Sequence, residues 1–246
     1  MKRQYYLLSS LVIGLMLFTA SCATTQSTQS SPTVEVNLPA VSNQSSGQAT
    51  QPPASASTQP ASSAANTLTC ILVQGKSTAQ YKVREQLARV NFPTDAVGKT
   101  QDLSGTISFK EDGSIDQSIS KFVVGLASLQ TDESMRDNFV RRNILHTDQY
   151  PQAVFVPTQE DGFPNPLPQS GSVAFKLTGN LTIQDVTKPI TLDVNGTVQT
   201  DSFTGVATTS FKFEDFNLSQ PRVPVVLSVV DNIDLELDIT MQRSQN

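Results

Sequence analysis

The chain has 246 residues, of which 22 are Asp or Glu and 17 are Lys or Arg, so its net charge at pH 7 is −5. This acidic balance, without a basic run or an alternation of basic and aromatic residues, argues against nucleic acid as a partner. Two cysteines and one histidine cannot form a disulfide framework and are too few for a typical zinc site. We therefore expect no bound metal and no cofactor.

The N-terminus has the pattern of an export signal. Lys2 and Arg3 precede an apolar run at residues 7–18, and small residues follow up to Cys22. Because the run is shorter than the about 20 apolar residues of a spanning helix, residues 1–22 are predicted to be a secretory signal. A small residue directly before a cysteine is typical of bacterial lipoprotein signals, which predicts that Cys22 is lipidated. Ordinary cleavage and an uncleaved anchor are the alternatives.

Residues 23–66 differ sharply in composition from the rest of the chain. They are almost entirely Ser, Thr, Gln, Ala and Pro, and Glu35 is their only charged residue. Few apolar side chains are available to offset the entropy of ordering, so we predict a disordered tether. A mucin-like stalk is the alternative with the same composition. Residues 67–246 remain as one globular domain, a length typical of a single core.

Alternation of apolar and polar residues dominates this domain and indicates β-strands. In chain order, strands are predicted at 77–84, 103–109, 115–128, 153–159, 173–183, 190–199, 205–213 and 233–241. The last of these alternates most regularly, so that one face is apolar and the other is polar. About eight antiparallel strands of this kind form either a sandwich or a closed barrel, and composition alone does not decide between them.

Two segments of the domain are not expected to be strands. A short helix is predicted within residues 132–145, because Met135 and Phe139 fall four residues apart and the preceding Thr-Asp pair can cap the first turn. We expect Met135, Arg136 and Phe139 to form a lid over one end of a barrel. The second segment, the proline-rich loop at residues 163–168, is expected to flank a barrel mouth.

Two motifs follow each other along the domain. The first joins Thr131-Asp132 to Arg136-Asp137 and is followed by Tyr150-Pro151 before an apolar strand. The second is a Gly-x-Leu-Thr-Ile strand at residues 179–183 that leads to a Thr-Lys-Pro triplet at 187–189. Through these motifs the chain resembles the YceI family of lipid-binding, lipocalin-like barrels over roughly residues 77–241. The resemblance favours the barrel and implies an apolar ligand of the polyisoprenoid type, such as a quinone or a prenyl lipid.

Arg136 in the first motif has two possible roles. Its guanidinium could receive the phosphate or carboxylate head group of an amphiphilic ligand. Alternatively, an ion pair with Asp132 or Asp137 holds the loop on the barrel, and Arg141 and Arg142 stay solvated. We favour the ion pair, because the resemblance makes the Arg-Asp pair part of a shared scaffold.

Inward-facing apolar side chains are the candidate ligand-binding residues. Eight strands leave an interior that is either filled by side chains or holds one small ligand. The candidates are Phe109, Phe155, Val173, Phe175, Leu177, Leu181, Ile183, Ile190 and Leu192. An apolar tail needs no specific polar contact, since each buried methylene contributes roughly 0.8 kcal/mol.

The sequence has no recognisable catalytic motif. His146 is the only histidine, no Gly-x-Ser-x-Gly elbow is present, and Cys70 lies among apolar residues as a packing side chain would. We therefore predict a non-enzymatic binder or carrier of an apolar lipid, exported to the cell envelope and anchored in the membrane on its periplasmic or extracellular face. A filled interaction module without a ligand is the main alternative, and an enzyme acting on a lipid is a third. The sequence does not specify the oligomeric state.

Replacing Cys22 by Ser is expected to release the protein from the membrane fraction, because the lipidated cysteine would be its attachment point. The measurement is the partition of the parent and of Cys22→Ser between membrane and soluble fractions, after mass spectrometry has shown that both signals were removed. Equal membrane partition of the two processed proteins would exclude lipidation.

Overall fold

Residues 67–244 are described by a computed structural model of the chain. They belong to one compact unit, Pro60–Asn246. The predicted signal at 1–22 and the predicted tether at 23–66 lie outside the described residues, so both stay predictions.

Eleven β-strands account for most of the described residues. Their bounds are β1 Leu68–Leu72, β2 Thr78–Leu87, β3 Thr94–Thr100, β4 Leu103–Phe109, β5 Lys121–Gly125, β6 Gln152–Asp161, β7 Gly171–Ile183, β8 Val186–Gln199, β9 Ser202–Phe211, β10 Val226–Val229 and β11 Ile233–Arg243. The helical segments are α1 (Ser134–Phe139), a π-helical turn (Val140–Ile144) and a 3₁₀-helix (Phe213–Phe216). No helix in residues 67–244 has the length and apolar character that a membrane span needs.

Eight of the eleven described strands close into an antiparallel barrel. They pair in the order β1, β4, β5, β6, β7, β8, β9 and β11, and β11 pairs back to β1. This closing contact places Cys70 opposite Arg243 and Leu72 opposite Met241. Because closure pairs the strand edges within a single sheet, the predicted barrel is confirmed and the sandwich is excluded.

The other three strands continue the sheet beside β11 and past one end of the barrel. The C-terminal part of β11 pairs with β1, and its residues 234–238 pair with β2. Past the N-terminal end of β11, β10 pairs with the last residues of β2. The opposite edge of β2 pairs with β3. The β2–β3 turn therefore lies at the end of the barrel opposite to Arg243, the last residue of β11.

The sequence analysis missed β1, β3 and β10, and each lacks a clear alternating pattern. Val97 is the only large apolar residue of β3, and β10 lies within an almost unbroken apolar run after Pro224. The strand β1 has five residues and begins directly after the polar tether sequence. Pairing with longer neighbours, rather than a pattern of their own, places these segments in the sheet.

The strand predicted at residues 115–128 was too long, because a turn precedes β5. The Asp116 carboxylate accepts hydrogen bonds from the backbone N–H and the hydroxyl of Ser118, at 3.0 and 2.6 Å. The hydroxyl bond and the backbone bond lower the pKa of Asp116. The Ser120 backbone N–H donates to the Asp116 carbonyl oxygen at 3.0 Å. An Asp side chain that binds the backbone two residues further on favours a turn over a strand.

Helical segments close one end of the barrel as a plug. Phe216 of the 3₁₀-helix is completely buried, and its ring meets the Phe211 ring edge-on with 4.7 Å between centroids. Ile144 of the π-helical turn is also buried. Its carbonyl oxygen accepts a hydrogen bond from the Gln184 amide, in the β7–β8 turn, at 2.6 Å. The plug therefore lies at the end where β7 and β8 join.

The helix predicted within residues 132–145 is confirmed, but its cap is different. The Glu133 carboxylate accepts a hydrogen bond from the Met135 backbone N–H at 3.2 Å. The buried Asp137 carboxylate accepts two bonds from Thr131, from its backbone N–H and its hydroxyl, both at 2.7 Å. The prediction that the Thr-Asp pair caps the first turn was wrong, because Asp137 engages the Thr131 hydroxyl.

Replacing Phe216 by Ala is expected to lower the free energy of unfolding by about 3–5 kcal/mol, because the plug loses a buried ring and keeps a cavity. Phe92→Ala is the matched control, since it removes the same ring from a position that is 76% exposed. Its effect should stay within about 0.5 kcal/mol. Urea denaturation followed by circular dichroism measures both values, and equal losses in the two variants would contradict the role of the plug.

Candidate functional site

The barrel contains a cavity of about 520 Å³. Side chains from all eight barrel strands, β1, β4 to β9 and β11, line its wall. The volume lies within the range of about 300–1,000 Å³ that is usual for ligand sites. Away from the mouth the wall is apolar, so the interior offers dispersion contacts and excludes water. The arrangement suits an apolar guest.

Seven of the nine predicted interior residues line this cavity. They are Phe109, Phe155, Phe175, Leu177, Leu181, Ile190 and Leu192. The other two, Val173 and Ile183, are buried but do not reach the cavity. Ile183 is the last residue of β7 and lies at the plugged end. Strand parity therefore identified the inward faces, and a role of these residues in ligand binding stays a prediction.

Several residues that line the cavity were not among the predicted site residues. They are Leu68, Cys70 and Leu72 on β1, Leu103 and Ile107 on β4, Phe122 on β5, Val194 and Val198 on β8, Phe203 and Ala207 on β9, and Leu235, Leu237, Ile239 and Met241 on β11. The alternation of β11 was a signal that could have identified its four residues. The strand β1 gave no such signal, because only closure against β11 turns its side chains inward.

The proline-rich loop at residues 163–168 flanks the cavity mouth, as predicted. The Phe163 ring stacks on the Phe109 ring with centroids 4.3 Å apart and an interplanar angle of 5°. It also meets Phe175 edge-on at 5.0 Å. Leu167 and Pro168 line the cavity beside it. Aromatic contacts of this geometry add about 0.5–1.5 kcal/mol each, so the loop is held against the barrel.

Polar lining residues gather at the mouth, where they form a rim. The rim consists of Gln169, Gln199, Thr200, Asp201, Ser202 and Arg243. The Arg243 backbone N–H donates to the Asp201 carbonyl oxygen at 2.8 Å. The Ser202 hydroxyl donates to the Gln199 amide oxygen at 3.2 Å. Among the described residues that line the cavity, only Asp201 and Arg243 carry charge, so the site is apolar inside and hydrogen-bonding at its opening.

Cys70 connects the rim with the apolar wall. It lies on β1 directly opposite Arg243, and its side chain lines the cavity. Burial raises the pKa of the Cys70 thiol, and the positive charge of Arg243 partly opposes this effect. The positive charge of Arg243 is therefore felt by a side chain on the inner side of the mouth.

The predicted lid is only partly supported. Phe139 is half-buried and packs against the core cluster, whereas Met135 is 76% exposed. The expectation that Met135 lies on the covered face of the helix was wrong. The covered face is that of Arg136, Asp137 and Val140, which are buried or half-buried, and Met135 lies outside it. None of Met135, Arg136 and Phe139 lines the cavity. The helix runs directly into the π-helical turn, whose Ile144 belongs to the plug, so the helix lies at the plugged end of the barrel.

Arg136 forms a structural ion-pair network. Its guanidinium contacts Asp132 at 2.5 Å and Glu85, at the end of β2, at 2.8 Å. Glu85 is only 7% exposed, so this contact attaches α1 to the extended sheet. Of the two predicted partners, Asp132 is present and Asp137 is not, since Asp137 binds Thr131 instead. The sequence analysis missed Glu85 because it is distant along the chain.

His146 lies exposed in the loop after the π-helical turn. Its φ is 47°, and its carbonyl oxygen accepts hydrogen bonds from the backbone N–H groups of Gln149 and Tyr150, at 2.9 and 2.8 Å. Its position is thus that of a turn residue. Within residues 67–244, no group of three or more His, Cys, Asp and Glu side chains is placed to hold a metal ion.

Maleimide is expected to modify Cys70 more slowly than an exposed thiol, because burial raises its pKa and leaves less of the reactive thiolate. Arg243→Gln should slow the reaction further, since it removes the charge that favours the thiolate. Lys121→Gln, which removes an exposed charge from β5, is the control. Peptide mapping by mass spectrometry separates Cys70 from Cys22. A rate unaffected by Arg243→Gln would show that the guanidinium does not act on the thiol.

Comparison with known proteins agrees with the barrel and its motifs. Residues 72–241 match the family model of the YceI-like domain. Protein YceI of Shigella flexneri is 30% identical over 163 residues, which cover 59% of this chain and 80% of that protein. Protein YceI of Escherichia coli O157:H7 has the same identity and coverage.

Solved structures share the fold. BcnA of Burkholderia cenocepacia superimposes with a TM-score of 0.51 and 19% identity, covering 69% of this chain and 98% of that chain. A polyisoprenoid binding domain of Saccharophagus degradans, implicated in plant cell wall breakdown, has a TM-score of 0.55 and 13% identity, with coverages of 72% and 99%. At these identities the likeness concerns the fold alone. Because the family match spans more than half of the chain, the protein belongs to the family of YceI-like domains.

Proposed function

We propose that the protein is a non-catalytic binder or carrier of a long apolar lipid, whose tail the barrel holds in its cavity. The observation that carries this proposal is the 520 Å³ cavity with an apolar wall and a polar rim at one end. An amphiphile fits such a site with its tail inside and its head group at the rim, because a polar head inside would lose its hydrogen bonds with water.

The cavity volume sets the length of tail that the barrel can hold. A water molecule occupies about 30 Å³ in the liquid, and a methylene group is of similar size, so the cavity accommodates roughly 17 carbon-sized groups. This corresponds to about three five-carbon isoprene units. A longer polyisoprenoid would extend through the mouth, along the loop at residues 163–168.

The ligand class within this proposal is the polyisoprenoid type, such as a prenyl lipid or a quinone. Two findings support it: membership in the family of YceI-like domains, and the shared fold with a polyisoprenoid binding domain. The wall adds a physical reason, since each buried methylene contributes roughly 0.8 kcal/mol without a directed contact. Affinity then depends on the length of the apolar tail.

We further propose that the protein works in the cell envelope, exported and attached to a membrane through Cys22. The N-terminal pattern supports this location, with two basic residues, a short apolar run and a small residue before the cysteine. A long tether at residues 23–66 would leave the barrel free to meet ligand donors and acceptors at some distance from its anchor.

The alternative, a surface-displayed interaction module without a ligand, needs no interior space. An eight-stranded barrel can be filled completely by its own side chains. The open volume inside this barrel therefore favours the carrier over the module.

Leu177→Arg is expected to abolish retention of an apolar ligand, because Leu177 lines the cavity and an unpaired guanidinium there is costly. Lys176→Ala is the matched control. Lys176 points to the outer face, where it pairs with Asp193 at 2.5 Å, and its loss should leave retention intact. Mass spectrometry of organic extracts from both purified variants measures the bound lipid, and circular dichroism checks that both are folded.

The carrier proposal would be overturned by either of two results. Folded Leu177→Arg could hold as much extracted lipid as the parent, or the parent could hold none after purification from a lipid-replete membrane source. Either outcome would favour the interaction module.

A further inference from the structure

Exposed apolar side chains gather at the tip of the sheet extension, at the end of the barrel opposite to the mouth. We name this the tip surface, formed by Val90, Phe92, Val225, Leu227 and Val230. Phe92 is 76% exposed and Leu227 is 66% exposed. Single exposed apolar residues are ordinary, but large ones gathered on adjoining segments mark an interaction site.

Hydrogen bonds hold the two segments of the tip surface together. The Ala88 backbone N–H donates to the Val225 carbonyl oxygen at 3.0 Å, and β10 pairs with the end of β2. The Gln86 amide donates to the carbonyl oxygens of Leu87, at 3.1 Å, and of Val90. The β2–β3 turn and the segment that enters β10 thus form one surface.

The tip surface is basic within an acidic protein. Residues 86–94 and 220–230 contain Arg89 and Arg222 and no acidic residue. Both arginines are exposed. Neither forms an ion pair within residues 67–244. Two unpaired guanidinium groups therefore border the apolar side chains.

The acidic residues that flank these segments in the sequence are already engaged. Glu85 pairs with Arg136 at 2.8 Å, and Asp95 pairs with Arg84 at 2.9 Å. The Asp231 carboxylate accepts a hydrogen bond from the first N–H of the 3₁₀-helix at 3.1 Å. Arg89 and Arg222 are thus left to attract an anionic partner.

We propose that the tip surface docks on a bilayer that contains anionic phospholipids. Aromatic and aliphatic side chains at a protruding turn enter the membrane interface, and neighbouring arginines contact lipid phosphates. Charge complementarity selects this partner, since each basic residue near an anionic leaflet adds to the attraction. A second copy of the chain fits less well, because two tips would bring four unpaired guanidinium groups together.

Docking through the tip surface fixes how the barrel stands on the bilayer. The rim residues Asp201 and Arg243 lie at the far end of β9 and β11 from the tip. The cavity mouth then faces the aqueous phase, where it stays open to a partner. This orientation does not depend on which ligand the cavity holds.

The test uses the exported full chain with Cys22→Ser, so that no lipid anchor contributes, and vesicles of phosphatidylcholine with and without phosphatidylglycerol. Vesicle sedimentation should show tighter binding to the anionic vesicles, weakened by salt. The double variant Phe92→Ser with Leu227→Ser should bind about tenfold more weakly. Arg89→Gln with Arg222→Gln should lose about 30-fold on anionic vesicles only.

Two matched controls lie at the mouth end of the barrel. Ile119→Ser removes an apolar side chain that is 52% exposed, and Lys121→Gln removes an exposed charge. Both should bind vesicles like the parent. Circular dichroism verifies that all variants are folded.

Two results would overturn the docking proposal. The parent could fail to bind anionic vesicles, or both double variants could bind them as the parent does. Capture of a lipid by the cavity would survive both double variants, so the second result also separates docking from the carrier function. After the first result, a dimer that forms without vesicles and disappears in Phe92→Ser with Leu227→Ser would identify a second copy of the chain as the occupant of the tip surface.

Discussion

The closing pairs between β11 and β1 are the contact on which the rest of the structure depends. They join the first and last strands of the domain, Cys70 opposite Arg243 and Leu72 opposite Met241. Without them the sheet would keep two unpaired edges, and its apolar face would need a second layer to cover it. Closure instead turns that face into the wall of a cavity. The N-terminal half of β11, at residues 234–238, continues along β2 and builds the extension.

The two ends of the barrel differ because different segments cover them. At one end, buried aromatic packing of Phe216 against Phe211 and the buried Ile144 leave little room for solvent. At the other end, Phe163 covers part of the opening, and the β8–β9 turn and Arg243 supply polar groups. An interior with one polar opening orients an amphiphile, because only its head group keeps hydrogen bonds with water at the rim.

The motif around α1 serves the scaffold and not the cavity. Arg136 joins Asp132 to Glu85, and Glu85 is nearly buried on β2. Removing one partner of such a pair leaves a charge without compensation in a poorly solvated place, so the network favours one attachment of the helix. The sequence analysis identified the ion pair with Asp132 but could not find Glu85, because 51 residues separate the two partners along the chain. Met135 was assigned to the wrong side for a related reason, since the contact of Arg136 with the distant Glu85 decides which face of α1 is covered.

The sequence by itself determined the strands with a period of two and the faces they bury, which is why seven of nine interior candidates line the cavity. Alternation is a local property, so it can be read without knowledge of the partner strand. Tertiary structure alone decided the inclusion of β1, β3 and β10, the hollow interior and the exposed tip at Phe92. These features depend on register and closure between residues far apart in the chain. Local patterns carry no information on such distances, because the free energy of pairing belongs to both strands together.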